Sequence, residues 1–225
     1  MAVDYISAEA KDVDTFIHEK LNEVVNDGDS NQQPCDVVLY GFGRIGRLLA
    51  RRIVSTTGRG DQLRLRAIVL RQKMATVQEE LEKRAGLLLD DSIHGRFPGT
   101  VEIDAEKGTL TVNGNAIQLI FANQPEDIDY TNYGINNALV IDNTGVWRNK
   151  EELSRHLRPG AIKVMLTAPG AGVPNIVYGV NQDEALAENM NVISAASCTT
   201  NAIVPVIKTL DDAIGIEEGH IETIH

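Results

Sequence analysis

The sequence predicts an α/β protein: an open, mostly parallel sheet with an antiparallel insertion. Three observations carry that expectation. An apolar run at 37–40 passes through a glycine-rich turn into a stretch with helical apolar spacing at 47–54. Further apolar runs of parallel-strand type, at 63–70, 138–142 and 161–166, are separated by helical stretches. Between them, 100–103 and 109–112 alternate like antiparallel strands, and Asn113-Gly114 is a favoured hairpin turn before the run at 117–120.

In chain order, residues 1–34 read as an appendage. Phe16, Ile17, Leu21, Val24 and Val25 make one helical stripe within 12–26, and 28–34 is a linker by composition. After the strand–turn–helix unit and the strand at 63–70 comes a helix at 76–89, with Thr76-Val77-Gln78-Glu79 as a capping box. Asp90 and Asp91 read as a solvated turn, and Arg51 and Arg52 as a solvated helix face. His94 reads as a structural loop residue, and Trp147 as one that packs or covers a cofactor edge. Residues 125–133 form a loop with one helical turn, and 151–157 a helix that ends at Pro159-Gly160. The strand at 161–166, a Pro/Gly loop, a helix at 181–189, a short strand at 192–194 and a helix from about 200 to 214 complete the pattern.

Composition narrows the function classes. No run of 18 apolar residues is present, so no membrane span is expected. The acidic opening segment, eight acids against two lysines, lacks the basic residues of an import peptide, and a cytoplasmic location follows as the default. A net charge of −11 argues against nucleic-acid binding, which depends on cationic neutralisation of phosphates. Residues 36–73 run the other way, nine basic against two acidic, which favours an anionic ligand near the glycine turn. Cys35 and Cys198 are too few for a disulfide framework, and without a CxxC or a close His/Cys cluster no metal site is expected.

Two motifs carry chemistry. Gly41-Phe42-Gly43-Arg44-Ile45-Gly46 stands between a strand and a helix, the setting in which a Rossmann-type sheet binds a dinucleotide. Gly41 permits the tight turn, Gly43 lets a pyrophosphate approach the backbone, and Gly46 lets helix and strand pack closely. Unpaired amides at the helix start would hold the phosphates. The alternative is a merely tight structural turn. Second, Ser197-Cys198-Thr199-Thr200-Asn201 places a thiol where a strand gives way to a helix. A helix N-terminus favours the reactive thiolate, and a histidine could hold it and later take a proton from the substrate. The alternative is a buried, inert cysteine.

These residues together resemble the glyceraldehyde-3-phosphate dehydrogenase family. The matching stretches are GFGRIGR at 41–47, DSIHGRFPGTV at 91–101, NGNAIQL at 113–119, DNTGVW at 142–147, TAPG at 167–170, YGVN at 178–181 and ASCTTNAIVP at 196–205, in the family's order. The resemblance implies Cys198 as nucleophile and His225, 27 residues later, as its base. It implies cofactor contacts from Gly41, Gly43, Arg44, Ile45, Gly46, Thr144, Gly145 and Thr167, and substrate or phosphate contacts from Ser197 and Thr199. The implied reaction is phosphorylating oxidation of glyceraldehyde 3-phosphate through a cysteine thioester, with hydride passing to NAD or NADP. The implied partners are an aldehyde phosphate, inorganic phosphate and three further copies in a homotetramer. Erythrose-4-phosphate dehydrogenase is the enzymatic alternative, and a catalytically incomplete cofactor-binding fragment is the other.

Departures from the family pattern add two expectations. The acid that closes the second strand in NAD-preferring members is replaced by Leu70, followed by Arg71 and Lys73, so NADP is expected to be accepted. Residues 1–34 have no counterpart in typical members. The domain reading is an acidic extension at 1–34, a dinucleotide-binding domain at 35–197, and the start of an incomplete catalytic domain at 198–225. A chain truncated there is expected to lack appreciable activity.

Overall fold

A computed structural model of the chain describes residues 34–57, 62–183 and 190–224. The helix expected at 12–26, most of the linker after it, most of the helix expected at 181–189, and His225 lie outside the described residues.

Eight strands form the main sheet. Strands β1 (Cys35–Tyr40) and β2 (Leu63–Leu70) flank helix α1 (Arg44–Thr57) in sequence, and α2 (Val77–Leu89) follows β2. A small antiparallel pair, β3 (Asp90–Asp91) and β4 (Gly95–Arg96), leads to β5 (Val101–Asp104), β6 (Thr109–Val112) and β7 (Asn115–Phe121). Then come β8 (Ala138–Asp142), α3 (Lys150–Ser154), β9 (Ala161–Leu166), β10 (Val192–Ser194) and α4 (Cys198–Ile214). The strand order is β10-β9-β8-β1-β2-β7-β6-β5. The pairs from β10 to β7 are parallel, and β7-β6-β5 are antiparallel. The α/β reading with an antiparallel insertion therefore holds. One refinement is that β7 belongs to both halves, parallel to β2 and antiparallel to β6.

Alternation along each strand sends side chains to two cores, one on each face of the sheet. Val37, Leu39 and Ile68 pack with Ala50, Val54, Leu81 and Leu88 of α1 and α2. Val38, Tyr40, Ala67, Val69 and Val140 pack with Tyr130, Trp147 and Leu153 on the opposite face. Burial on both faces explains why these strands read as continuous apolar runs rather than alternating ones.

Local chemistry sets several boundaries. Thr76 Oγ1 accepts the Glu79 amide at 3.2 Å while Glu79 accepts the Thr76 amide at 3.2 Å, so the capping box starts α2. The hairpin turn needs Asn113 and Gly114 at φ of 48° and 81°, which asparagine and glycine tolerate. Helix α3 is shorter than the expected 151–157; the chain turns after Ser154 and sends His156 into the core.

Two surface expectations are corrected. Arg51 is 8% exposed, not solvated. Its guanidinium donates to Leu88 O at 2.7 Å and Gly95 O at 3.1 Å, satisfying a carbonyl at the C-terminus of α2 that has no helical partner. Asp91 is also buried, whereas Asp90 is exposed. The Asp91 carboxylate accepts the His94 and Ile93 amides at 3.0 Å each, lies 3.1 Å from His94 Nδ1, and pairs with Arg44 and Arg47 at 3.5 Å. The amide bonds from His94 and Ile93 hold that carboxyl well below the usual carboxylate range.

Helix α4 differs from α1 and α2, since none of its residues is buried. Val206, Leu210 and Ile214 are exposed on it. Among the described residues no helix is long and apolar enough to cross a membrane, and no group of three or more metal-ligating side chains occurs.

Candidate functional site

The chain enters at β1, adds β2 beside it, crosses to the far edge at β5, works back through β6 to β7, and then lays β8 on the other side of β1. A crevice opens at such a reversal, at the carboxyl ends of the strands. Here it is a cleft of about 310 Å³. Its lining comes from Tyr40 to Gly43 after β1, Val69 to Arg71 after β2, Ala122 after β7, and Thr144, Val146 and Trp147 after β8, with Arg47, Lys73 and Arg84 at the side.

The glycine turn is built for close approach. Gly41 has φ +94°, and a Cβ there would meet Thr144 Cγ2 at 2.8 Å. A Cβ on Gly46 would lie 2.5 Å from the Gly41 carbonyl oxygen. A Cβ on Gly43 would meet nothing within 4 Å, so the backbone there faces open space at the mouth of α1. That cradle, with unpaired amides at the start of a 14-residue helix, fits a pyrophosphate. Arg44 is turned toward the Asp91 loop instead, with Nη2 3.3 Å from Ser92 Oγ, and Ile45 is exposed.

Of the residues expected to contact a cofactor, Gly41, Gly43, Arg71 and Thr144 line the cleft. Gly46 supports the turn from behind. Arg71 donates to Asn123 O at 3.3 Å and is exposed. Lys73 and Met74 donate their amides to the buried Glu80 carboxylate at 2.8 and 2.9 Å, which shapes the loop after β2. Burial pushes the Glu80 carboxyl up, but those two amides and Arg84 outweigh it and leave it below its ordinary value.

Under the β8 turn lies a polar cluster whose buried histidine the sequence did not announce. Asp142 Oδ1 accepts the Thr144 amide at 2.6 Å and its hydroxyl at 2.7 Å, and Asp142 Oδ2 lies 3.0 Å from His156 Nε2. The main-chain oxygen of Asp142 accepts the amide and the hydroxyl of Thr167, both at 3.0 Å. The His156 ring stands edge-on to Tyr40 and Trp147, with centroids 4.6 and 5.1 Å away. Trp147 is buried, as a packing residue should be. Burial, then the nearby Asp142 carboxylate, pushes the Tyr40 hydroxyl up to about 12.

The thiol lies at the carboxyl end of the same sheet, beyond β10, so β8 and β9 stand between it and β1. Cys198 is the first residue of α4 and is exposed. Ser197 caps the helix, its hydroxyl accepting the Thr200 amide at 2.9 Å. The preceding Ala196 adopts φ +59°, a left-handed conformation costly for a residue with a Cβ. Ser194 Oγ accepts its amide at 3.0 Å, while Asn201 donates to Ala195 O at 2.7 Å and Ser197 O at 2.9 Å. Asn201 belongs to the cysteine motif recognised in the sequence. Asp142 belongs to the matched DNTGVW stretch, whereas Ser194 and His156 had no comparable signal of their own.

Comparison with known proteins agrees with this geometry. Residues 35–150 match the family model described as glyceraldehyde 3-phosphate dehydrogenase, NAD binding domain. The chain belongs to that family. Residues 197–225 match its C-terminal domain. A glyceraldehyde-3-phosphate dehydrogenase-like protein of Pseudomonas aeruginosa is 54% identical over 219 residues, 96% of this chain and 46% of that protein. Glyceraldehyde-3-phosphate dehydrogenase 2 of Bacillus subtilis and glyceraldehyde-3-phosphate dehydrogenase 1 of Schizosaccharomyces pombe are each 38% identical over 190 residues, 84% of this chain and 52% of theirs. The chain thus spans about half the length of the curated relatives it matches. The Pseudomonas alignment takes in most of residues 1–34, so that segment has a counterpart in at least one relative.

Proposed function

We propose that the protein carrying these residues oxidises glyceraldehyde 3-phosphate to an acyl phosphate, with residues 35–197 binding the dinucleotide and a catalytic domain starting at 198. One observation carries the reading: in a chain of this family, the glycine cradle and an exposed thiol at a helix N-terminus lie at the carboxyl ends of parallel strands of one sheet.

Gly41, Gly43 and the first amides of α1, those of Arg44 and Ile45, hold the pyrophosphate. Thr144, Gly145 and Thr167 would contact the remainder of the dinucleotide. When bound, the nicotinamide supplies the hydride acceptor. Cys198 Sγ attacks the aldehyde carbon and forms a thiohemiacetal. His225 takes the hydroxyl proton as hydride leaves that carbon, which yields a Cys198 thioester. Ser197 and Thr199 offer hydroxyl donors to the substrate or to the incoming phosphate. Inorganic phosphate attacks the thioester, the carbon–sulfur bond breaks, and the Cys198 thiolate is restored. The family reading also implies a homotetramer acting in the cytoplasm.

The cofactor range follows from the end of β2. Leu70 offers no carboxylate to repel a 2′-phosphate, while Arg71 and Lys73 stand on the cleft wall. NADP is accepted alongside NAD in this reading.

Two measurements test the proposal. NAD reduction with glyceraldehyde 3-phosphate should require inorganic phosphate, and Cys198→Ser should abolish turnover while NADH still binds; near-wild-type turnover in that variant overturns the mechanism. Fluorescence titration with NADH and NADPH should give comparable affinities, with NADPH selectively weakened by Arg71→Ala. A preference for NADH above about tenfold, roughly 1.4 kcal/mol, overturns the NADP reading.

A further inference from the structure

We propose that His156 is a positioning residue for the dinucleotide, acting through the Asp142 carboxylate on the Thr144–Gly145 turn. The inference rests on the reading of the cleft as a dinucleotide site.

Donor and acceptor are fixed at each hydrogen bond of the cluster. A carboxylate offers only acceptors, so at 3.0 Å from Asp142 Oδ2 the imidazole donates through Nε2. Thr144 Oγ1 accepts the Val146 amide at 3.1 Å, and its own proton goes to Asp142 Oδ1 at 2.7 Å. The Thr144 amide donates to the same oxygen at 2.6 Å. The two carboxylate oxygens therefore divide the work, with Oδ2 anchored in the core through His156 and Oδ1 gripping Thr144.

The grip reaches the cofactor cradle because Thr144 rests on it. The Thr144 methyl occupies the space that a Gly41 Cβ would enter, and Thr144 itself lines the cleft. Asp142 and His156 are both wholly buried. Without the imidazole donor, Oδ2 would be a charged acceptor stranded away from water, a costly state. Rotation or hydration of the carboxylate relieves that cost, and either one loosens Thr144 from its place beside Gly41.

A space-filling role alone does not account for this residue. His156 Nδ1 is buried without a hydrogen-bond partner, a penalty that an apolar side chain of similar size would avoid. Imidazole is retained at that expense, and the contact it gains is the one to Asp142. Its ring also backs the wall of the cleft, packing edge-on against both Tyr40 and Trp147, which themselves meet edge-on at 5.5 Å.

Trp147, the single tryptophan of these 225 residues, lines the cleft and serves as the reporter through energy transfer to bound NADH. Titrations compare the wild type with His156→Leu and with His156→Gln, whose amide nitrogen reaches the position of Nε2. The leucine variant should weaken NADH about tenfold or more, and the glutamine variant should stay within about threefold of wild type. Wild-type affinity in a folded His156→Leu protein overturns the inference. Should that variant fail to fold, Thr144→Val removes the hydroxyl link and leaves the buried pair intact; undiminished NADH affinity there overturns it equally. A wild-type protein that shows no energy transfer to NADH overturns instead the reading of the cleft, so the two failures are distinct.

Discussion

Replacing Gly43 and Gly46 separately by alanine should split two roles that one glycine motif merges. At Gly46 the added methyl lies 2.5 Å from the Gly41 carbonyl oxygen, which is backbone and cannot swing aside. Overpacking of that kind costs about 1–3 kcal/mol, while alanine regains up to about 1 kcal/mol of helix propensity within α1. Because the blocking atom is backbone, the upper end of that cost applies, and the net loss of about 2 kcal/mol corresponds to a fall in Tm of about 4–8 °C for a domain of this size. Gly43 has open space around its Cβ position and no positive φ, so alanine there leaves stability unchanged. Its methyl instead fills the cradle and displaces a phosphate from the α1 amides. A lost hydrogen bond to a charged group is worth about 1.5–3 kcal/mol, or about 10- to 150-fold in Kd. Thermal unfolding reads the first effect and the Trp147 titration with NADH reads the second. Gly43→Ala protein that binds NADH within about threefold of wild type would show that no phosphate sits at this turn. An unchanged Tm in Gly46→Ala would refute the packing argument.

Three further outcomes are expected. Limiting iodoacetamide near neutral pH should label exposed Cys198 before the half-buried Cys35, and peptide mapping that finds Cys35 labelled first removes the case for a reactive Cys198. Asp91 has a folded value below its unfolded one, so its contribution to stability is complete above about pH 4 and fades as pH falls toward the folded value. Asp91→Asn should lower Tm at neutral pH and flatten the acid limb of the stability curve; an acid limb as steep as wild type contradicts the assignment. Arg51→Met should cost about 1–3 kcal/mol by stranding the buried Leu88 O, whereas exposed Arg52→Met should stay within about 0.5 kcal/mol, and equal losses in urea denaturation would contradict the difference in burial.

The apolar runs at 63–70 and 138–142, the Thr76 capping box and the Asn113-Gly114 turn were legible because each expresses a short-range rule. Periodicity, an N-cap pair and a left-handed turn residue are decided by neighbours within a few positions. The same locality made the glycine turn and the segment around Cys198 readable. Arg51 and Asp91 escaped for the opposite reason. Their charges look solvated along the chain, and only the packing of α1 against the α2–β4 region brings the Leu88 and Gly95 carbonyls to Arg51 and the Arg44 and Arg47 guanidiniums to Asp91.

By itself the sequence determined the α/β class, the parallel core strands, the family and the two motifs, because backbone geometry and hydrophobic period act over few residues. Tertiary structure decided that β8 returns beside β1, which creates the cleft and brings Thr144 against Gly41. It also decided the fate of His156, a polar residue just past a short helix with no motif around it. Its meaning depends on Asp142 lying 3.0 Å away at the end of a separate strand, a distance that no local pattern encodes. Hydrogen bonds between elements far apart in sequence are fixed only when the sheet assembles, and so the support beneath the site became visible only in the fold.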